Sequence, residues 1–162
     1  HGDGSPSEAP ARQGLACYRA TFREVYRYAA MLCGADRAAA EDLVSDAYLS
    51  TLTAARRGAV TEVSVGYLTT VVRHRFLGRM RSAEREERRL RLVASSPEPE
   101  EPLLPDRLAT LPERERALLV LRYVDDLTMA QAAEELGMST RAAESLAARA
   151  MRRLRRQEAR DA

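Results

Sequence analysis

Apolar positions recur at steps of three and four along most of this chain, and the breaks between the runs divide it into helices. The first run extends from about Leu15 to Cys33, with Tyr18, Phe22, Val25, Tyr26, Ala29, Leu32 and Cys33 on one side, and Gly34 supplies its stop. Arg19, Arg23 and Arg27 lie on the other side as a solvated stripe. Asp36 is placed to cap a second helix, in which Ala40, Leu43, Val44, Ala47, Thr51, Leu52 and Ala55 form the buried stripe. Residues Arg56 to Ser64 break the pattern and read as a loop. A long helix follows, with Leu68, Val71, Val72, Phe76 and Met80 inward.

A second group of helices opens at Leu111-Pro112-Glu113-Arg114-Glu115-Arg116, because proline in a first turn followed by acids suits a helix start. Ala117 to Val124 is its apolar segment, ended by Asp125-Asp126. Thr128 then caps a short helix, with Gln131 three residues on completing a capping box. Gly137 stops that helix in the left-handed conformation that glycine adopts without a Cβ penalty. Ser139 or Thr140 restarts the chain as the cap of a last helix. Two short helices joined by a glycine turn make a helix-turn-helix, whose second helix enters a DNA major groove. In that second helix Ala143, Ala147, Ala150 and Leu154 form the expected apolar stripe, and Arg141, Ser145, Arg149 and Arg152 fall on another side.

Between the two groups, residues 92–107 hold four Pro and four acids. Proline denies the backbone its helix bonds and the acids repel one another, so the segment reads as an extended linker able to span roughly 50 Å. The expected organisation is all-α: a flexible tail over 1–14, a helical domain over 15–91, the acidic Pro-rich linker over 92–107, and a helix-turn-helix domain over 108–160. Sparse aromatics, no Trp, and the lack of long alternating Val, Ile and Thr runs argue against a sheet. No stretch approaches the roughly 18 consecutive apolar residues of a membrane span. Residues 1–14 carry no apolar core of the kind a secretory signal needs, and a start at His1 reads as a trimmed or processed one.

Charge adds what periodicity cannot. A net charge of +2 hides segregation: residues 141–160 hold seven Arg against two Glu, and residues 73–91 hold eight Arg against three Glu. Two basic helices in a near-neutral chain point to two contacts with one long polyanion. All 26 basic residues are Arg, which with the abundant Ala suggests a high-GC bacterial coding bias. Cys17 and Cys33 stand 16 residues apart on one expected helix, about 24 Å, too far for a disulfide. Buried structural cysteines and a reduced, cytoplasmic setting follow.

The second helix carries Glu41, Asp42, Ser45, Asp46 and Leu49 away from its apolar stripe. Paired carboxylates at helical spacing can share a cation or divide acid and base roles. No His, Lys or further acid cluster accompanies them, so neither a metal, nor a cofactor, nor an enzyme is expected. An acidic face with a hydrophobic residue on it reads instead as a docking surface or as solvated surface.

The order of Ala40-Glu41-Asp42-Leu43-Val44-Ser45-Asp46-Ala47-Tyr48-Leu49, Tyr67-Leu68-Thr69-Thr70-Val71-Val72-Arg73-His74-Arg75-Phe76-Leu77, and Leu111-Pro112-Glu113-Arg114-Glu115-Arg116 with the helix-turn-helix resembles the bacterial extracytoplasmic-function sigma factors of the sigma-70 family. The resemblance covers about Tyr18 to Leu154. It implies a protein without catalytic residues that binds the β and β′ subunits of core RNA polymerase and directs it to promoter DNA. Glu41, Asp42, Ser45, Asp46, Tyr48 and Leu49 would dock on the β′ clamp helices. Arg56, Arg57 and Tyr67, with Arg73, His74, Arg75, Arg79 and Arg81, would capture and hold the −10 element, whose flipped base and single-stranded phosphates need a pocket and cations. Thr140, Arg141, Glu144, Ser145, Ala148, Arg149 and Arg152 would face the −35 element. The linker would lie near the active-site cleft and RNA exit path.

This chain departs from the family at several positions. Ser45 stands where Gln is usual, Tyr67 where Trp is, and His74 where Asn is. Glu144 and Leu146 stand where Lys and Arg are usual, and a Glu can accept from a cytosine amino group, which would change sequence preference. The family also implies an anti-sigma factor covering the polymerase-binding faces, and no membrane insertion by the chain itself. The competing expectation is a stand-alone helix-turn-helix regulator that binds an operator duplex, usually as a dimer. The acidic helix face and acidic linker favour the sigma reading.

Overall fold

The computed structural model describes residues 8–89 and 107–162, and among them the chain is all helix, with no strand. Helix α1 spans Glu8–Cys33, α2 Arg37–Arg56 and α3 Val65–Arg89. A 3-10 turn at Arg107–Thr110 precedes α4 (Glu113–Tyr123), α5 (Met129–Glu135) and α6 (Thr140–Asp161). Helix α1 begins at Glu8, so half of the expected tail, residues 8–14, is helical; residues 1–7 lie outside the described residues. The expected linker lies outside them too, except Arg107, which opens the 3-10 turn.

Local chemistry sets most of the boundaries. The Asp36 side chain accepts from the Ala39 amide at 3.0 Å and starts α2, while Gly34 reverses the chain before it at φ +63°. The Ser64 hydroxyl accepts from the Tyr67 amide at 3.1 Å at the start of α3. Helix α4 follows Pro112 and carries Glu113 and Glu115 in its first turn, where the helix dipole favours acids. The capping box at Thr128 is complete: Gln131 N–H donates to its hydroxyl at 3.1 Å, and Gln131 Oε1 accepts from the Thr128 amide at 2.9 Å. Gly137 turns at φ +66° with open space where a Cβ would stand. Ser139, not Thr140, caps α6 by accepting from the Ala142 amide.

Helices α1, α2 and α3 pack together through Val25, Ala29, Leu32, Leu43, Val44, Ala47, Leu68, Val72 and Leu77, all buried. Several positions differ from the expected stripes, Tyr18 and Ala55 among them, which are exposed. Tyr28 is buried, because a helix enclosed on more than one side hides more than a single stripe. Leu52 faces solvent, since α1 and α3 cover α2 only on the side of Ala40, Leu43, Ala47 and Thr51. The sulfur of Cys33 is buried, and desolvation pushes its thiol up to about 12 against the opposing charge of Arg116. Both cysteines are free thiols.

The expected two helical lobes do not stand apart. Leu118, Val120 and Leu121 of α4, with Ala132, Ala133 and Leu136 of α5, join the α1–α3 residues in one continuous apolar core. Polar contacts cross the same seam. Arg116, only 8% exposed, donates from Nε to the Leu32 carbonyl at 2.7 Å and from Nη1 to the Leu111 carbonyl at 3.0 Å. Tyr28 donates its hydroxyl to Asp125 Oδ2 at 2.7 Å, and Arg73 Nη1 lies 3.6 Å from Asp125 Oδ1. Burial first, then the Asp125 partner, moves the Tyr28 phenol far above its ordinary range, so it stays a donor.

Leu118 has no exposed surface, and Leu118→Ala is expected to lower the free energy of unfolding by about 2–5 kcal/mol in urea titration, through lost transfer energy and a cavity. At Gly137 the penalty is conformational alone. Gly137→Ala is expected to cost about 1–2 kcal/mol and Gly137→Asn distinctly less, read by thermal unfolding, because Asn tolerates the left-handed region. Equal losses for Ala and Asn would show that space, not φ, sets the requirement.

Candidate nucleic-acid interface

The last helix divides cleanly by burial. Ala143, Leu146 and Ala150 are buried against the protein, with Ala147, Met151 and Leu154 half-buried beside them. Thr140, Arg141, Glu144, Ser145, Ala148, Arg149 and Arg152 are all exposed, and their spacing puts them on one arc of the helix opposite that seam. The helix-turn-helix therefore presents the whole residue set assigned to base and phosphate contact. Leu146 is an anchor of the apolar core and does not belong to that surface, so its difference from the family's usual residue bears on packing. The expected stripe included Ala147 and Leu154 but omitted Leu146. The i, i+3, i+7 set of Ala143, Leu146 and Ala150 points more directly at α4 and α5.

Two guanidiniums hold the turn between α5 and α6. Arg114 donates to the Leu136 carbonyl at 2.9 Å, and Arg81 of α3 donates to the Glu135 carbonyl at 3.1 Å. Both acceptors belong to the last turn of α5, where the helix leaves carbonyls unsatisfied. Within α6, Arg153 pairs with the buried Glu115 of α4 at 3.1 Å and fixes the roll of the helix. Arg107 and Glu158 form a further pair near its end.

The second basic zone is less open. His74 and Arg75 are exposed on α3, and Arg56 and Arg57 are exposed where α2 ends and the next loop begins. Tyr67 is half-buried in the first turn of α3. Arg79 is engaged by Asp46 of α2, Arg73 by Asp125, and Arg81 by Glu135. The structure thus brings together Asp46 and Arg79, residues assigned to different partners, as an exposed ion pair across α2 and α3.

On α2, Glu41, Asp42, Ser45 and Leu49 are exposed, Leu49 at 64%. Tyr48 is turned aside from this face. Its hydroxyl shares a 2.5 Å hydrogen bond with Thr21 of α1, and its ring lies 4.9 Å from that of Tyr18. Burial raises its phenol pKa, and the Thr21 bond opposes the shift. Tyr28 and Asp125 were missed as a pair in the sequence because 97 residues separate them and no local pattern links them. Among the described residues no group of three His, Cys, Asp or Glu side chains could hold a metal ion. No described helix is long and apolar enough to cross a membrane.

Comparison with known proteins follows the same division. Residues 17–86 match the family described as Sigma-70 region 2, and residues 103–154 match Sigma-70, region 4. The RNA polymerase sigma factor SigF of Mycobacterium tuberculosis, in strains CDC 1551 / Oshkosh and ATCC 25618 / H37Rv, is 48% identical over 50 residues, 31% of this chain. That match spans only 19% of the curated relative's length. A solved structure of the sigma factor RpoE in complex with the anti-sigma factor NepR, from Bartonella quintana, superposes with a TM-score of 0.51 at 22% identity, covering 86% of this chain and 92% of that one. The RpoE likeness supports the fold. The two regions, covering most of the chain between them, make it a member of the sigma-70 family.

Proposed function

We propose that this chain binds core RNA polymerase in the cytoplasm and directs it to promoters by engaging a −10 and a −35 element. The observation that carries the reading is the pairing of a region 2 match with a region 4 match whose recognition helix keeps all seven nominated residues in solvent. Glu41, Asp42, Ser45 and Leu49, an acidic rim around an exposed leucine, dock on the β′ clamp helices. Asp46 joins them through its ion pair with Arg79, while Tyr48 supports the helix from behind. The loop after α2 and the start of α3, with Arg56, Arg57 and Tyr67, receive an unstacked base, and Arg73, His74, Arg75, Arg79 and Arg81 hold the backbone of the opened strand.

On the −35 side, Arg141, Arg149 and Arg152 meet phosphates or guanine edges, and Thr140, Ser145 and Ala148 let the helix approach the groove floor. Glu144 accepts from a cytosine amino group, which gives this chain its own preference at one base pair. An anti-sigma factor restrains the chain by covering its polymerase-binding faces, as the complex of RpoE with NepR supports by likeness.

Run-off transcription with core polymerase on a pool of promoter fragments from the source genome tests the reading. Start sites that appear only with this chain present are the expected result; none, with retardation of a specific duplex by the chain alone, would favour an operator-binding regulator. Asp42→Arg is expected to weaken core association by about tenfold, measured by competition against the unaltered chain, since a reversed charge meets the partner's complementary surface. Glu144→Ala is expected to relax selection at one −35 position by about 1–3 kcal/mol, read from binding to single-base variants of the promoter by the holoenzyme.

A further inference from the structure

We propose that the end of α6 is a phosphate strip: Arg155 and Arg156, continuing from Arg152, carry the helix past the major groove and hold the duplex backbone outside the −35 element, whatever its sequence. The inference rests on the reading of α6 as a −35 recognition helix and extends it to residues which that reading leaves unassigned.

Helix α6 is longer than the groove it is read to enter. It has 22 residues, and seven of them lie beyond the region 4 match, which ends at residue 154. Arg141, Ala148, Arg152, Arg155 and Ala159 follow one another at steps of seven, four, three and four, so they share one line along the helix, with Arg156 beside it. All six are exposed. From Arg141 to Arg155 that line covers about 21 Å, against a major groove about 12 Å wide. With the first turn on base edges, arginines three to four turns further on stand over a wall of the groove, where the phosphates are. The end of a homeodomain's recognition helix meets the backbone in the same way.

This end of the helix is held in place. Ala150 is buried with Leu111 and Leu119, and Met151 and Leu154 pack against that cluster. Two contacts reach further along: Gln157 Nε2 donates to the Thr110 hydroxyl, and Arg107 pairs with Glu158. All of these ties lie on the inner side of the helix or at its edges, so the last turns cannot roll to bring Arg155 and Arg156 inward.

The charge of the strip is uncompensated within the described residues. No carboxylate among them pairs with Arg152, Arg155 or Arg156, and Glu158, three residues after Arg155, is taken by Arg107. Arg152, Arg156 and Arg160 stand at steps of four, where like charges repel and weaken a helix. The helix dipole favours a cation only near the last turn, which accounts for Arg160 and not for the others. An anion along this side offsets the repulsion. The one continuous with the proposed −35 contact is the phosphate backbone of the same duplex.

Arg155→Ala with Arg156→Ala removes the strip without touching the inner side of α6, and alanine at both positions keeps the helix. Arg19→Ala with Arg23→Ala, on the exposed outer side of α1, makes the same change in net charge on a different helix. Holoenzyme binding is measured from low to high KCl on a promoter duplex and its single-base −35 variants, with ethylation interference to mark the phosphates in contact. The expected result is a salt slope shallower by about 1.8, at about 0.9 for each of the two phosphates lost. Affinity at low salt falls roughly tenfold, equally for every −35 variant, and interference disappears at phosphates outside the element. The α1 variant keeps the slope of the unaltered chain. Should the alanine pair unfold in circular dichroism, Arg155→Gln with Arg156→Gln, which keeps side-chain length, carries the test.

An unchanged slope overturns the proposal, as does an equal loss in the α1 variant, which would reduce the effect to net charge. A loss confined to some −35 variants would make these arginines base readers and sink the strip. Weaker core association with an unchanged slope would assign them to an acidic protein surface, again against it. Random-sequence duplex bound by the full chain alone at low salt separates the strip from the proposed function. A slope difference there, with no start sites from the unaltered holoenzyme, counts against the sigma reading and upholds the strip, whereas no difference in either setting overturns it.

Discussion

A guanidinium withdrawn from water must be given hydrogen-bond acceptors, because an unpaired buried charge costs several kcal/mol even after relaxation. Arg116 meets that condition with two backbone carbonyls, Leu111 in its own lobe and Leu32 at the end of α1. The arrangement of the two lobes depends on it. Carbonyls near the end of a helix have lost their intrahelical partners, so the Leu32 carbonyl is an acceptor the fold had available. The approach is possible only because Gly34 carries no side chain at the point of closest contact.

Around this tie the chain separates apolar and polar duties helix by helix. One side of each helix enters a shared core, and the opposite side of α2 and of α6 stays in solvent with the acidic and basic residues proposed to meet polymerase and DNA. Helix α3 is the exception. It packs against α1 and α2 on one side, while its arginines reach to both Asp46 of its own lobe and Asp125 of the other. A cationic helix in a chain with 24 acids will find carboxylates within its own molecule, and the ones it finds decide how much of its charge a nucleic acid can still use.

Stability and recognition meet at the same residues in the second lobe. Arg114 and Arg81 satisfy the last carbonyls of α5, Gly137 turns the chain, and Ser139 starts α6 in the direction that leaves its basic arc outward. Leu146 locks the roll of that helix from inside, and Arg153 locks it from the edge through Glu115. The exposed arc follows from these anchors, since a helix fixed on one side has no freedom over what it shows on the other.

The elements that short-range chemistry controls were legible in the chain itself. Asp36, the Thr128–Gln131 box, Gly137 and Ser139 each act within four residues, and helical periodicity named most of the buried positions, so the all-α fold, the helix-turn-helix and its outward residues could be read directly. What no periodicity encodes is which helix faces which. Tyr28 and Asp125 are 97 residues apart, and Leu32 and Arg116 are 84 apart, so their pairing required the tertiary structure. The inward turn of Tyr48, the exposure of Leu52 and the engagement of Arg73, Arg79 and Arg81 share that origin. A residue's spacing fixes its side of its own helix, but the neighbour on that side is set by how the helices pack.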